Sequence, residues 1–244
     1  MVYETIVLIA GSFLIGFIIT GFGLGVGLLI VPVFALFFAP AEVNGLVVSM
    51  VIIADLFTLH RYWGKQDMSN VITMLPFLVI GILLGSFILS GGSSYLKLII
   101  GLLCLIFSIL ELLSIKDVLS FKIPKKVSPI VGVGAGIVSA IAQVGSLPIT
   151  IYFSQENFTK ETFLSTLTML FFFTNVAKFF SYISFGIIEL STISKALLCI
   201  PLIALGSYAG FRANRGLKQE SFFTILMVMA IVLSSLVVVF SLYE

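Results

Sequence analysis

The sequence predicts an all-α, polytopic membrane protein. Of its 244 residues, 60% are hydrophobic and only 10% are charged, whereas a soluble domain is about 25% charged. The charged residues cluster in short gaps between apolar runs, and most runs are close to the roughly 20 residues that a helix needs to cross a ~30 Å hydrocarbon core. We therefore expect a multi-pass protein of the cell membrane, surrounded by the lipid bilayer and without a soluble domain.

Eight apolar segments follow one another along the chain. Because backbone in lipid must satisfy its own hydrogen bonds, the ordinary spans must be helices, and irregular backbone is tolerated only where protein buries it or it lines a cavity. The segments comprise residues 5–38, 43–59, 72–89, 96–115, 129–153, 163–185, 196–211 and 222–242.

The first and fifth segments are predicted to be interrupted, because glycine recurs in them at every second residue. Each glycine costs a helix roughly 1 kcal/mol relative to alanine. We expect each segment to form a glycine-broken helical hairpin, whose second arm (residues 28–38 or 147–153) begins in the middle of the membrane. The glycines and the prolines that follow them are Gly21, Gly23, Gly25, Gly27 and Pro32 in the first segment, and Gly132, Gly134, Gly136, Gly145 and Pro148 in the fifth.

The two interrupted segments hold corresponding positions, which predicts two related four-segment halves. The third and seventh segments agree, because one contains Gly81 and Gly85 and the other Gly206 and Gly210. Small residues four apart let helices pack closely in lipid. The predicted division is a first transmembrane repeat at residues 1–115, a cytoplasmic linker at 116–128 and a second transmembrane repeat at 129–244.

The distribution of positive charge favours the hairpins. If every segment crossed once, the lysines and arginines between segments would divide seven to five. With two hairpins, only Lys97 and Lys195 face one side, and positive charge is enriched on cytoplasmic loops. This arrangement places both termini outside and inverts one half relative to the other, a plan found in transporters. Eight plain spans remain the alternative. The ten residues on the cytoplasmic side would be Arg61, Lys65, Lys116, Lys122, Lys125, Lys126, Lys160, Arg212, Arg215 and Lys218.

Three polar side chains lie well inside apolar segments, where polar groups are costly and therefore often functional. They are Asp55, Asn175 and, one turn later, Lys178. Aligning the halves on their broken segments brings Asp55 and Asn175 to nearly equivalent positions. Lys178 could supply positive charge to an anion in a cavity. Alternatively, Asp55 or Glu111 neutralises it, or it extends to the membrane interface, since a buried ion must be paired.

The second arms of the hairpins offer another source of positive potential. A helix N-terminus exposes unpaired N–H groups at the positive end of its dipole and readily binds anions. Glycine would let a ligand approach the backbone there. The alternative is that these glycines only allow tight helix packing. The candidate substrate-binding residues are Gly21, Gly23, Gly25, Gly27, Gln143, Gly145, Ser146, Asn175 and Lys178, and the candidates for coupling transport to protons are Asp55 and Glu111.

In these motifs the chain resembles the sulfite exporter TauE/SafE family. In that family each of two halves opens with a glycine-rich stretch that runs into an apolar segment with proline, and a small or hydroxyl pair follows in the next helix, matched here by Val48-Ser49 and Ser165-Thr166. The chain departs from the family in spacing its first glycines singly and in placing Ala142-Gln143-Val144 within the second run. The resemblance implies transport of small sulfur-containing or organic anions, such as sulfite or sulfonates, commonly outward.

Together these features predict a secondary anion transporter rather than an enzyme. The sequence carries no ATP-binding motif, no catalytic set around its one histidine, and no cofactor or metal motif. The net charge of +2 gives no indication of a nucleic-acid partner. A homo-oligomer is left open, and a membrane assembly or structural subunit that transports nothing is the alternative function.

Overall fold

The computed structural model describes residues 2–22, 26–92, 95–115, 124–213 and 219–243. Within these ranges the chain forms eleven α-helices and one 3₁₀ turn (Lys125–Val127), with no strand. Six helices (α1, α3, α4, α5, α8 and α11) are each long and apolar enough to cross a membrane, which confirms the all-α polytopic fold. The helices are α1 (Val2–Phe22), α2 (Val26–Ala35), α3 (Pro40–Tyr62), α4 (Met68–Ser90), α5 (Leu96–Ile115), α6 (Ser128–Ala142), α7 (Ser146–Phe153), α8 (Lys160–Ser184), α9 (Leu190–Leu198), α10 (Ile200–Ala213) and α11 (Gln219–Tyr243).

Both predicted hairpins have a short second arm that folds back on the first. The arms α2 and α7 have only 10 and 8 residues, too few to cross a bilayer. A Cβ atom placed on Gly11 of α1 would lie 2.3 Å from the ring of Phe34 in α2. A Cβ atom on Gly145, just before α7, would lie 2.3 Å from the carbonyl oxygen of Ala135 in α6. In each case a residue on the first arm contacts a residue that follows the break. The chain must therefore reverse its direction between the two arms.

Three of the four glycines expected to interrupt the fifth segment do not interrupt it, and only Gly145 lies at the break, directly before α7. Helix α6 runs without a break through Gly132, Gly134 and Gly136. A Cβ atom on Gly136 would lie 2.3 Å from the Leu78 carbonyl oxygen of α4, so this glycine serves close helix packing, which outweighs its intrinsic cost of roughly 1 kcal/mol. The break comes instead at Gln143, whose φ of 59° is left-handed and ends α6.

The first helix of each half packs against the third segment of the other half, α1 on α10 and α6 on α4. A Cβ atom on Gly206 would lie 2.1 Å from the Phe13 carbonyl oxygen of α1, and one on Gly81 would lie 2.1 Å from the Val133 carbonyl oxygen of α6. The second glycine of each pair contacts the same neighbouring helix one turn later. Both predicted glycine pairs therefore lie in close backbone contacts between helices.

Two ion pairs establish which loops lie at the same end of the bundle. Lys65, between α3 and α4, contacts Glu161 at the start of α8 at 2.7 Å, and Lys195 of α9 contacts Glu42 at the start of α3 at 2.6 Å. Eight plain spans would put the members of each pair on opposite sides of the membrane, whereas two hairpins bring them together. Which end faces the cytoplasm stays a prediction, and Lys116, Lys122, Arg215 and Lys218 lie outside the described residues.

The seventh segment begins earlier than expected and is bent. It consists of α9 and α10, which meet at an angle of 49° around Cys199. Pro201, the second residue of α10, has no N–H to donate to the carbonyl four residues before it and its ring crowds that turn. Lys195, predicted to lie in a loop, is consequently in the last turn of α9.

Candidate functional site

The start of α2 and the end of α6 meet beside a cavity inside the bundle. A Cβ atom on Gly27, in the first turn of α2, would lie 2.2 Å from the carbonyl oxygen of Gln143, which ends α6. The space open to the centre of a water molecule is about 80 Å³, and one water needs about 10–15 Å³ of such space. The cavity therefore has room for several waters or one small anion. Its polar side chains are Asp55, Ser139, Gln143, Ser146, Thr174, Asn175 and Lys178.

The N-termini of both short arms line this cavity. Val26 and Gly27 come from the first turn of α2, and Gly145 and Ser146 from the start of α7. No side chain caps the N-terminus of α7 at Gly145. Because the first turn of a helix carries unpaired N–H groups and the positive end of the dipole, two positive helix ends converge on one small space.

Lys178 also lines the cavity, although its residue surface is only 3% exposed. Its ammonium donates a hydrogen bond to Oε1 of Gln143. It does not extend to the membrane interface. The two ion pairs at the helix ends do not involve Lys178, but the Asp55 carboxyl group lines the same cavity and is close enough for its charge to attract the ammonium. The buried ammonium is thus hydrogen-bonded to a neutral amide and attracted by Asp55, and its two remaining N–H donors can take an anion.

Asp55 faces the same cavity from α3 and is 5% exposed. Its Oδ2 accepts a hydrogen bond of 2.7 Å from the side-chain amide of Asn175 on α8. Asp55 and Lys178 are the two ionisable side chains among the described residues that line the cavity. The site therefore combines one carboxyl group with one amine.

Several predicted site residues lie elsewhere. Gly21 packs against α10, where its Cβ atom would lie 2.8 Å from the Gly210 carbonyl oxygen. Glu111 on α5 does not line the cavity, and its Oε2 is buried without a hydrogen-bond partner in the described structure. Gly23 and Gly25 are outside the described residues. The structure does bring together Gly27, Gln143, Gly145, Ser146, Asn175, Lys178 and Asp55.

Sequence reasoning missed two polar residues beside the cavity, Asn44 and Tyr182, which are both fully buried. The Gln143 side chain donates to the Asn44 side chain and to the Tyr182 hydroxyl, at 3.3 Å each. Both residues lie in apolar segments. A polar side chain inside an apolar segment was the signal that selected Asp55, and it could have selected Asn44 as well.

Asn44 and Tyr182 also complete the C-terminal end of α6. The last four carbonyl groups of a helix have no partner within it, and in lipid each must find a donor. All four carbonyl oxygens at the end of α6 have a donor. The Ser139 oxygen accepts from the Gln143 N–H at 3.0 Å, and the Ala140 oxygen accepts from the Tyr182 hydroxyl. The Ile141 oxygen accepts from Asn44 Nδ2 at 2.9 Å, and the Ala142 oxygen accepts from Cys104 Sγ at 3.8 Å.

The model of the sulfite exporter TauE/SafE family matches residues 8–237. The match covers nearly the whole chain, including every residue that lines the cavity. No curated protein and no solved structure matches the chain.

Proposed function

The chain belongs to the sulfite exporter TauE/SafE family, and from this premise we propose that it is a secondary transporter that exports small sulfur-containing or organic anions, such as sulfite or sulfonates. Membership makes it a multi-pass membrane protein of a transporter family, and the six membrane-spanning helices agree with this. The observation that carries the proposal is the position of Lys178. This lysine is buried, faces a cavity and forms no salt bridge with a carboxylate among the described residues.

An anion in the cavity would give the Lys178 ammonium a directly bonded partner, in addition to the nearby Asp55 carboxyl group. Taking an ammonium group out of water is costly unless an opposite charge or hydrogen bonds compensate. Lysine has three N–H donors, and Gln143 takes one, which leaves two for a ligand. The uncapped first turn of α7 and the backbone near Gly27 would add N–H groups. A small oxyanion, with several acceptor oxygens, fits this set of donors and the limited volume.

Asp55 is our candidate for coupling transport to protons. A carboxylate and an anion in the same small cavity repel each other, and a neighbouring like charge favours protonation of a carboxyl group. We therefore expect the anion and a proton on Asp55 to move together. Glu111 is a second candidate because its Oε2 is buried and has no hydrogen-bond partner among the described residues, but no described contact connects it to the cavity.

The proposed architecture is a pair of inverted repeats, residues 1–115 and 129–244, with both termini outside. The reciprocal packing of α1 on α10 and α6 on α4 supports it. Most of the proposed cytoplasmic linker, residues 116–123, lies outside the described residues. In such transporters the substrate site lies at the interface of the repeats, and rocking of one against the other exposes it to each side in turn.

Transport by the purified protein tests this function. Proteoliposomes would be loaded with ³⁵S-labelled sulfite or with labelled sulfonates, and efflux would be followed with and without a proton gradient. We expect saturable efflux that unlabelled anions inhibit and that a proton gradient acidic inside the liposomes accelerates, because the anion and the proton leave together. If no labelled anion leaves faster than from protein-free liposomes, the transporter function is wrong and an assembly or structural role becomes the better explanation.

A further inference from the structure

A chain of hydrogen bonds beside the cavity has a fixed direction from donor to acceptor. It begins at Asn44, whose Nδ2 donates to the carbonyl oxygens of Pro40 at 3.1 Å and Ile141 at 2.9 Å. A carbonyl oxygen can only accept, so the side-chain nitrogen of Asn44 must face these two groups. Its oxygen is consequently turned towards Gln143.

Tyr182 is oriented in the same way. Its hydroxyl donates to the carbonyl oxygen of Ala140, which again can only accept. The one proton of the hydroxyl is thereby used, and a lone pair of its oxygen is presented to Gln143. Asn44 and Tyr182 therefore offer Gln143 two acceptors.

These two acceptors determine which way the Gln143 amide faces. Its nitrogen donates to Asn44 Oδ1 and to the Tyr182 hydroxyl, and its oxygen accepts from Lys178. The reversed amide would place an NH₂ group against the ammonium and an oxygen against two acceptor oxygens, and all three contacts would be lost. The donors and acceptors around the Gln143 amide thus assign its orientation.

We infer that Asn44 and Tyr182 are positioning residues, which fix the Gln143 amide so that its oxygen holds the Lys178 ammonium at the cavity wall. The lysine keeps its other two donors for a ligand. The inference rests on the proposed function for the nature of that ligand, a small anion. It adds two residues, 138 positions apart in sequence, that set affinity without touching the anion.

The orientation of the amide can be tested without any ligand. Protein labelled with ¹⁵N-glutamine would be studied by NMR in detergent, with the Gln143 side-chain signal assigned from Gln143→Gly, which tolerates the left-handed backbone. We expect slow exchange of its amide protons, and faster exchange with a changed chemical shift in Tyr182→Phe. The exposed Tyr3→Phe is the control and should change nothing. Amide protons that exchange as fast as those of glutamine in an unfolded peptide, or a signal that Tyr182→Phe leaves unchanged, would overturn the inference.

The effect on binding is separated from a merely structural effect by a double-mutant cycle. Tyr182→Phe should weaken sulfite binding about five- to tenfold, the loss of roughly one hydrogen bond. In a Gln143→Gly background it should weaken binding no further, because the link to Lys178 is already gone. An equal loss in both backgrounds would show that Tyr182 acts through the fold and would overturn the positioning role. If the unmutated protein binds no sulfite or sulfonate, the proposed function fails, whereas the NMR result still decides the orientation of the amide.

Discussion

Replacing Lys178 with methionine separates a binding role from a structural one. Methionine fills a similar volume, so the variant removes the charge and its donors while it keeps the packing of α8. In the structure the ammonium is buried and contacts Gln143, but no carboxylate of the described chain. The substitution therefore breaks no salt bridge there, although it removes the positive charge that attracts Asp55.

The expected changes in affinity and stability differ in size. A hydrogen bond to a charged group contributes about 1.5–3 kcal/mol, so losing one such bond weakens anion binding by roughly 10- to 150-fold. The free energy of unfolding is subject to two opposing effects. Removing the ammonium removes its desolvation cost of several kcal/mol, whereas its two neighbours lose a partner: the Gln143 oxygen, at about 1–3 kcal/mol, and the Asp55 carboxyl group. Because these effects oppose each other, we expect a net change of at most about 3 kcal/mol.

The assay measures anion affinity and thermal unfolding on the same purified variants. The matched control is Lys195→Met, because Lys195 is 43% exposed at its side chain and pairs with Glu42 at a helix end, where a pair contributes about 0–1 kcal/mol. The control should bind anions normally. If Lys178→Met also binds anions with unchanged affinity, Lys178 is not part of an anion site and the reasoning is refuted.

Three further predictions concern helix packing, proton coupling and the orientation of the protein in the membrane. Gly136→Ala should destabilise the protein by about 1–3 kcal/mol through overpacking. Gly134→Ala, with nothing within 4 Å of the new Cβ atom, should instead stabilise α6 by up to about 1 kcal/mol. If thermal unfolding shows that both variants shift the melting temperature in the same direction, this prediction is wrong. Asp55→Asn should fold normally and still exchange anions across the membrane, but a proton gradient should no longer drive net efflux; unchanged proton-driven efflux would exclude Asp55 as the coupling group. Cysteines replacing Lys65 and Lys195 should react with a membrane-impermeant reagent from the cytoplasmic and the outer side, respectively, and the opposite result would invert the assigned topology.

The sequence predicted the features that depend on the lipid environment. Helical spans follow from the need to satisfy backbone hydrogen bonds without water, and Lys178 and Asp55 stand out because charge inside an apolar segment is costly. The hairpins followed from the charge distribution, and the two ion pairs at the helix ends agree with them.

The features that the sequence did not predict depend on which helices become neighbours. Glycine has the same propensity whether it breaks a helix or packs one, so only the contact with α4 distinguishes Gly136 from a breaking glycine. The bend at Cys199 could have been expected from Pro201, but Pro76 lies within the continuous helix α4. Asn44 acquires its role only because the end of α6 lies against it.

The location of a bound anion tests the central claim most directly. A crystal of the protein soaked in selenite, the selenium analogue of sulfite, would reveal the anion by the anomalous scattering of selenium. Our account predicts a selenium peak in the cavity between the first turns of α2 and α7, with an anion oxygen at about 2.7–3.2 Å from Lys178 Nζ, and no such peak in Lys178→Met. A selenium site elsewhere in the protein, with this cavity empty of selenium, would contradict it.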